Sequence, residues 1–198
     1  MRVAIEAGTH SPWASRLLEE CGHEVFVANP RKVQLIYKGK HKTDKLDAEN
    51  LARLARLDPK LLSPLKHRGE SSQAHLALLR SREVLIGVRT QLINHVRGAV
   101  KSLGYRLPKC SAESFHKRAA TQIPELLRGA LGPLVETTAS LTARIKEYDL
   151  ELEHMAQANY PETNLLRQVQ GVGTLTALAF VLILEDPERF AKSRAVGA

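Results

Sequence analysis

The stretch RVAIEAGTHSPWASRLLEECGHEVFVANP, residues 2–30, decides the fold class. Arg2–Glu6 alternates and is rich in β-formers, which predicts a strand. Ser11-Pro12-Trp13 then reads as a helix start, with Ser11 as the cap and Pro12 in the first turn, and Gly22 as the stop. Glu24-Val25-Phe26-Val27-Ala28 predicts a second strand. Asn29-Pro30 punctuates it, and a short helix is expected from Arg31 towards Tyr37 before Gly39 breaks the pattern. Strand, helix and strand with short connections predict a parallel pair joined by a crossover, the unit of an α/β layer. Two strands alone make a poor sheet, so the layer reads as incomplete.

Working outward, a helix is expected from Thr43 or Asp44 to about Leu57, where Asp58-Pro59 stops it. Beyond Pro64 the pattern changes. From Ser72 to Leu103 apolar pairs recur every seven residues (Leu78 and Leu79, Leu85 and Ile86, Leu92 and Ile93, Ala99 and Val100), which predicts a long amphipathic helix with a heptad seam. A second seam runs Leu134, Leu141, Ile145, Tyr148, Leu152 and Met155. The two helices suit either a hairpin within one chain or a dimeric coiled coil. Residues 104–132 read as short helices and turns. The last segment has an apolar helix at Leu165–Val169, a Gly171-Val172-Gly173-Thr174 turn, and a very apolar helix over Leu175–Leu184.

Composition narrows the class of protein. In 198 residues and 22.0 kDa, 43% apolar content is enough to close a core, and no apolar run is long enough to span a bilayer. The opening residues make no signal peptide, and Cys21 and Cys110 form no framework or metal spacing, which fits a reducing, cytoplasmic setting. The formal charge of +8 is concentrated. Arg31–Arg68 holds eleven basic residues against four acidic ones. Such a field suits a polyanion, because each neutralised phosphate releases counterions; a solvated basic face is the plainer alternative. No Gly-x-Ser-x-Gly elbow marks a hydrolase, and only 5% aromatic residues argue against base stacking.

Three groups of residues could carry chemistry. Glu6 ends a predicted strand, and Asp44 and Asp47 stand on neighbouring positions of one helix face. If strand end and helix meet, three hard oxygen donors converge, which suits Mg²⁺ or Mn²⁺ in phosphoryl transfer. Alternatively Asp44 caps the helix, and Asp47 answers Lys42, Lys45 or the helix dipole. Around these acids stands a collar of Lys38, Lys40, His41, Lys42 and Lys45, suited to a phosphodiester backbone. Gly171, Gly173 and Thr174, with Ala177 beyond, resemble the turn of a helix-hairpin-helix element that offers free N–H groups to a DNA phosphate; an ordinary turn between packed helices fits as well.

The run Lys42-Thr43-Asp44-Lys45-Leu46-Asp47-Ala48, preceded by Val3-Ala4-Ile5-Glu6-Ala7 and by the strand ending at Asn29-Pro30, resembles the insertion sequence 110 family of transposases. Gln170-Gly171-Val172-Gly173 with Ala177, followed by Glu185-Asp186-Pro187-Glu188-Arg189-Phe190, is similar to the opening of that family's C-terminal transposase domain. The resemblance covers nearly the whole chain in order. It implies an N-terminal RuvC-like, RNase H-type domain with four acidic metal ligands, a coiled-coil connector, and a C-terminal domain carrying a serine nucleophile. Members join and recombine DNA under an element-encoded bridge RNA. By this resemblance Glu6 matches the second acid, Asp44 and Asp47 the third and fourth, and the lysine collar would hold nucleic-acid backbone.

Two departures follow from the same resemblance. Glu6 has only five residues before it, so no first acid is present. The serine region would begin where Ser193–Ala198 runs out. The expectation is therefore an α/β plus all-α chain: a partial RuvC-like domain at 1–68, a helical coiled-coil connector at 69–160, and the start of a helix-hairpin-helix-like C-terminal domain at 161–198. The expected function is that of an insertion-sequence DNA transposase, truncated and inactive in strand transfer but still binding nucleic acid. Its expected partners are DNA, bridge RNA and a second copy through the coiled coil, with no membrane. The alternatives are a noncatalytic nucleic-acid-binding and dimerisation module, and a metal-dependent nuclease that cleaves without joining.

Overall fold

In the computed structural model, which describes residues 1–35, 43–190 and 192–197, β1 (Arg2–Glu6) and β2 (Glu24–Ala28) pair in parallel, with Arg2 opposite Glu24 and Glu6 opposite Ala28. The helix α1 (Ser11–Glu20) crosses between them, and Gly22 ends it at φ +80°, where a side chain would be strained. Ser11 corrects one expectation. It is the first helical residue, not the cap, and the preceding His10 makes no capping bond. The Ser11 hydroxyl turns back instead, accepting the Gly8 N–H at 2.9 Å, donating to the Gly8 carbonyl at 2.8 Å, and meeting His67 Nε2 at 2.9 Å. A His67 carrying a proton on Nε2 completes that set of bonds.

Next come α2 (Pro30–Val33), capped by Asn29, and α3 (Asp44–Leu57), whose cap is Thr43: its Oγ1 accepts the Leu46 N–H at 3.3 Å. α2 closes at Val33 with Gln34 as its C-cap, short of the expected reach towards Tyr37, and residues 36–42 lie outside the described residues. A 3₁₀ turn at Pro59–Leu62 follows α3. Alternation places Ala4, Phe26 and Ala28 on one sheet face, and these pack with Val33, Leu51, Ala55 and Leu62 under α3. The opposite face, Val3, Ile5, Val25 and Val27, is left for α1. The sheet has two strands, as expected, and the chain itself covers part of its edge. Asn29 donates to the Leu62 carbonyl at 3.0 Å and Leu65 to the Val27 carbonyl at 2.8 Å, so residues 62–65 satisfy backbone groups beyond β2.

Met1–Gly69 forms one compact unit and Glu70–Ala198 a second. The second is built on α4 (Glu70–Ser102) and α6 (Glu125–Asn159), with α5 (Phe115–Ala120), α7 (Thr163–Leu166) and α8 (Thr174–Leu184) packed around them. α4 and α6 run antiparallel: Arg82 Nε reaches Asp149 Oδ1, while seven residues on Arg89 Nη1 meets Thr142 Oγ1 at 3.2 Å, seven residues back. The hairpin alternative is thus the one realised within the chain.

The buried line differs from the predicted seams. On α4 it is Leu76, Leu79, Arg89, Ile93, Val96 and Val100, with Leu85 and Ile86 both half-buried: three of the four predicted pairs bury their second member, interleaved with arginine. On α6 it is Leu131, Val135, Thr138, Thr142, Ile145, Leu152, Met155 and Ala156; of the predicted seam Ile145, Leu152 and Met155 are buried, while Leu134, Leu141 and Tyr148 are only half-buried. Threonines tolerate this position because each hydroxyl bonds a preceding-turn carbonyl, Thr138 to Val135 at 2.7 Å and Thr142 to Thr138 at 2.8 Å. The segment after residue 160 belongs to this unit: Leu178 and Leu182 of α8 pack with Leu76, Leu79, Leu152 and Met155. No described helix is long and apolar enough to cross a membrane.

Candidate metal centre and nucleic-acid interface

The helical repeat decides where the acids point. Leu51 and Ala55 are the buried residues of α3, and Asp47 stands four residues before Leu51 on the same stripe, with Asp44 three before that. Both carboxylates therefore lie on the sheet-facing side of the first turn of α3. On the strand, Glu6 shares the face of Ala4, which is the face α3 covers. Met1–Ala4 line a cavity together with Ala52, Ala55 and Arg56, so the start of β1 lies against the C-terminal half of α3.

Glu6 thus lies on the sheet face that α3 covers, and Asp44 and Asp47 lie on the stripe of α3 that carries its buried residues. Glu6 and Asp44 are exposed and Asp47 is half-buried. Among the described residues none of the three is paired with another side chain. They do not close on a common point: no group of three or more His, Cys, Asp or Glu among the described residues is arranged to hold a metal ion. The capping role considered for Asp44 is taken by Thr43. Of the lysine collar, Lys45 is exposed on the first turn of α3, while Lys38, Lys40, His41 and Lys42 lie outside the described residues.

The glycine turn is built differently from the expected hairpin. Gly171 has φ +87°, which a side chain would not readily adopt, and Gly173 is the residue before α8. Its leading helix, expected at Leu165–Val169, is the single turn α7, which closes at Leu166. Thr174 Oγ1 donates to Glu153 Oε1 of α6 at 3.1 Å, and Arg167 Nη1 stands 3.8 Å from the same oxygen. A carboxylate of the chain already engages the hydroxyl at the start of α8.

Sequence reasoning overlooked the polar waist of the hairpin. Arg89 is 7% exposed and its Nε has no partner, as is also true of the buried Nδ1 of His116 on α5. The signal was present, since Arg82 and Arg89 stand seven apart and alternate by three and four with Leu79, Ile86 and Ile93.

A two-stranded α/β layer in one unit and a long helical hairpin in the other define a two-unit protein of mixed class. Residues 1–104 match the DEDD transposase model of the IS110 family, described as Transposase, and the chain belongs to that family. It is 32% identical over 198 residues to the Sinorhizobium fredii protein that carries the transposase name y4pF/y4sB, covering 97% of this chain and 50% of that one. It is 28% identical over 202 residues to the transposase for insertion sequence element IS1328 of Yersinia enterocolitica, covering 99% of this chain and 58% of that one. The transposase for element IS1111A of Coxiella burnetii is 26% identical, over 92% of this chain and 54% of its own length. The chain thus spans about half the length of the curated relatives it matches.

Proposed function

We propose that this chain supplies the acidic corner and helical scaffold of an insertion-sequence transposase that works on DNA by metal-dependent phosphoryl transfer. The reading is supported by the helical register that puts Asp44 and Asp47 on the stripe of Leu51 and Ala55, and by the alternation that puts Glu6 on the strand face α3 covers. Mg²⁺ commonly keeps several waters and takes one or two carboxylates plus substrate phosphates, so an open corner of carboxylates fits it without a closed cage. Glu6, Asp44 and Asp47 would hold Mg²⁺ or Mn²⁺ there. When bound, such an ion polarises a phosphodiester and offsets the charge that develops on it. The carboxylates would orient the ion against the sheet edge, and Lys45, with Lys38, Lys40 and Lys42, would hold the backbone of the nucleic acid. The serine nucleophile implied by the family resemblance is assigned to no residue of this sequence.

The test is a Mn²⁺ titration of the 198-residue chain followed by paramagnetic broadening, with Mg²⁺ followed by thermal stability. Broadening confined to Glu6, Asp44 and Asp47 is expected. At ten times Kd the ion should stabilise the first unit by about 1.4 kcal/mol. Asp44→Ala with Asp47→Ala should abolish both effects. Uniform weak broadening, unchanged in that double variant, would overturn the metal reading and leave a noncatalytic nucleic-acid-binding module in its place.

A further inference from the structure

A second cluster of cations lies in the helical unit, on residues that the acidic corner does not use. The segment leading into α5 and the middle of α6 enclose a cleft of about 410 Å³. Ser111, Ser114, His116 and Lys117 line one side, and Thr142 and Lys146 the other. The two serine hydroxyls stand 3.0 Å apart and Ser114 Oγ also donates to the Ser111 carbonyl at 3.3 Å, so both protons are engaged and turn to a ligand only by exchanging these local bonds. Among the described residues neither Lys117 nor Lys146 is paired with a carboxylate. Glu113 is the one acid in the lining.

The wall of the cleft is electropositive from behind as well. Thr142 Oγ1, having given its proton to the Thr138 carbonyl, accepts from Arg89 Nη1, so the buried guanidinium stands directly behind a lining residue. No carboxylate among the described residues pairs with Arg89, and its Nε is orphaned. A buried cation with no counterion is a standing cost to the fold, because desolvation of a charge is offset only by an opposite charge or a full set of hydrogen bonds. His116, which lines the same cleft, adds a buried Nδ1 without a partner. Two open lysines, hydroxyl donors and a buried arginine around one concavity are the chemistry of an anion site, and a low-dielectric wall strengthens each of those interactions.

We propose that this cleft binds a phosphate group, held by Lys117, Lys146 and the serine hydroxyls, with Arg89 supplying charge through the Thr142 wall. The volume exceeds what one bare anion fills and lies within the range of small-molecule sites, which leaves room for the sugar on either side of a backbone phosphate. The polynucleotide source rests on the proposed function; the phosphate chemistry stands without it. Glu113 at the lining tempers the field and should weaken anion binding.

The experiment uses the 198-residue chain with two probes, inorganic phosphate and a short single-stranded DNA, each followed by nuclear magnetic resonance at His116 and the Ser111–Lys117 amides. Saturable shifts confined to the cleft are expected with phosphate. Lys117→Ala with Lys146→Ala should weaken phosphate binding about tenfold. Glu113→Gln should tighten it. With DNA, the same double variant should lower the slope of log affinity against log salt by roughly 0.7 for each backbone phosphate it no longer neutralises. Lys117→Gln with Lys146→Gln, which keeps the side-chain stems, serves where the alanine variant loses helicity. Phosphate that leaves the cleft resonances unmoved, or a double variant that binds both probes as the parent does, overturns the proposal. DNA binding that survives the double variant unchanged sinks the cleft and spares the nucleic-acid reading. Phosphate in the cleft with no DNA binding keeps the site for a free phosphate and sinks that reading.

Discussion

In Met1–Gly69 the core is Ala28, Val33, Leu51, Ala55 and Leu62, small side chains around two leucines beneath a two-stranded sheet. In Glu70–Ala198 two clusters sit at opposite ends of one hairpin. One gathers Ile93, Val96, Val100, Phe115 and Leu131, the other Leu76, Leu79, Leu152, Leu178 and Leu182, with Arg82, Arg89, Thr138, Thr142 and Asp149 between them. The first unit depends on a few packed side chains that are all needed, since a unit of this size buries only about 60% of its unfolded surface. The second has apolar area to spare and keeps a polar waist. Chemistry that needs charge can therefore be carried in the middle of the second unit, whereas in the first it must stay at the rim.

Truncating matched leucines should break that contrast most sharply. Leu62 and Leu152 are both fully buried, and each replacement by alanine should cost about 2–5 kcal/mol. Leu62→Ala is expected to unfold the first unit, with its amide resonances collapsing to random-coil positions while helical circular dichroism persists. Leu152→Ala should lower the denaturant midpoint of the second unit and leave it folded. Equal tolerance of both truncations would show that the two cores are equally robust.

The waist allows a test of opposite sign. Arg89→Met removes a buried cation that has no counterion and fills a similar volume, and should leave the hairpin neutral or stabilise it by about 1–4 kcal/mol in thermal unfolding. A large destabilisation would mean that Arg89 holds the register of α4 on α6. Under the phosphate proposal the same variant also binds phosphate more weakly, so stability and binding should move in opposite directions.

The smallest effect belongs to the rim of the first unit. Burial, and then the charges of Arg16 and Arg68, hold His67 below the ordinary imidazole value of 6.5, while Glu19 opposes them. A histidine with a depressed folded pKa binds its proton more readily when unfolded. Its contribution is complete above pH 6.5 and is lost as pH falls from there through the folded value. Denaturation of the first unit should therefore show stability declining below that pH, and His67→Gln should flatten the decline while the helical unit is unaffected. A His67→Gln variant with the parent's pH profile would remove the histidine from the account.

Much of this molecule was legible from local chemistry. Strand alternation at Arg2–Glu6 and Glu24–Ala28, the Asp58 stop and the long amphipathic pattern after Ser72 depend on neighbours a few residues away and stand where reading placed them, and the cap of α3 is Thr43, one of the two starts the sequence offered. Family membership was equally legible, in the Lys42–Ala48 run and the far Gly171–Ala177 segment. The acids were singled out by their spacing; how near they come to one another depends on the packing of α3 on β1, which no local pattern states.

Ser11 shows where local reading stopped: serine before proline at a helix start is a capping signal, yet its hydroxyl is taken by His67, fifty-six residues away in the chain. The seams show it again. Composition ranks leucine pairs above arginine and threonine for burial, but the antiparallel packing of α4 on α6, which sets Arg82 against Asp149 and Arg89 against Thr142, puts the polar residues inside. Residues within one turn of each other interact whatever the rest of the chain does, so caps, stops and periodicities can be read in isolation. Which groups lose water depends on what packs across from them, and that is settled only when distant segments meet.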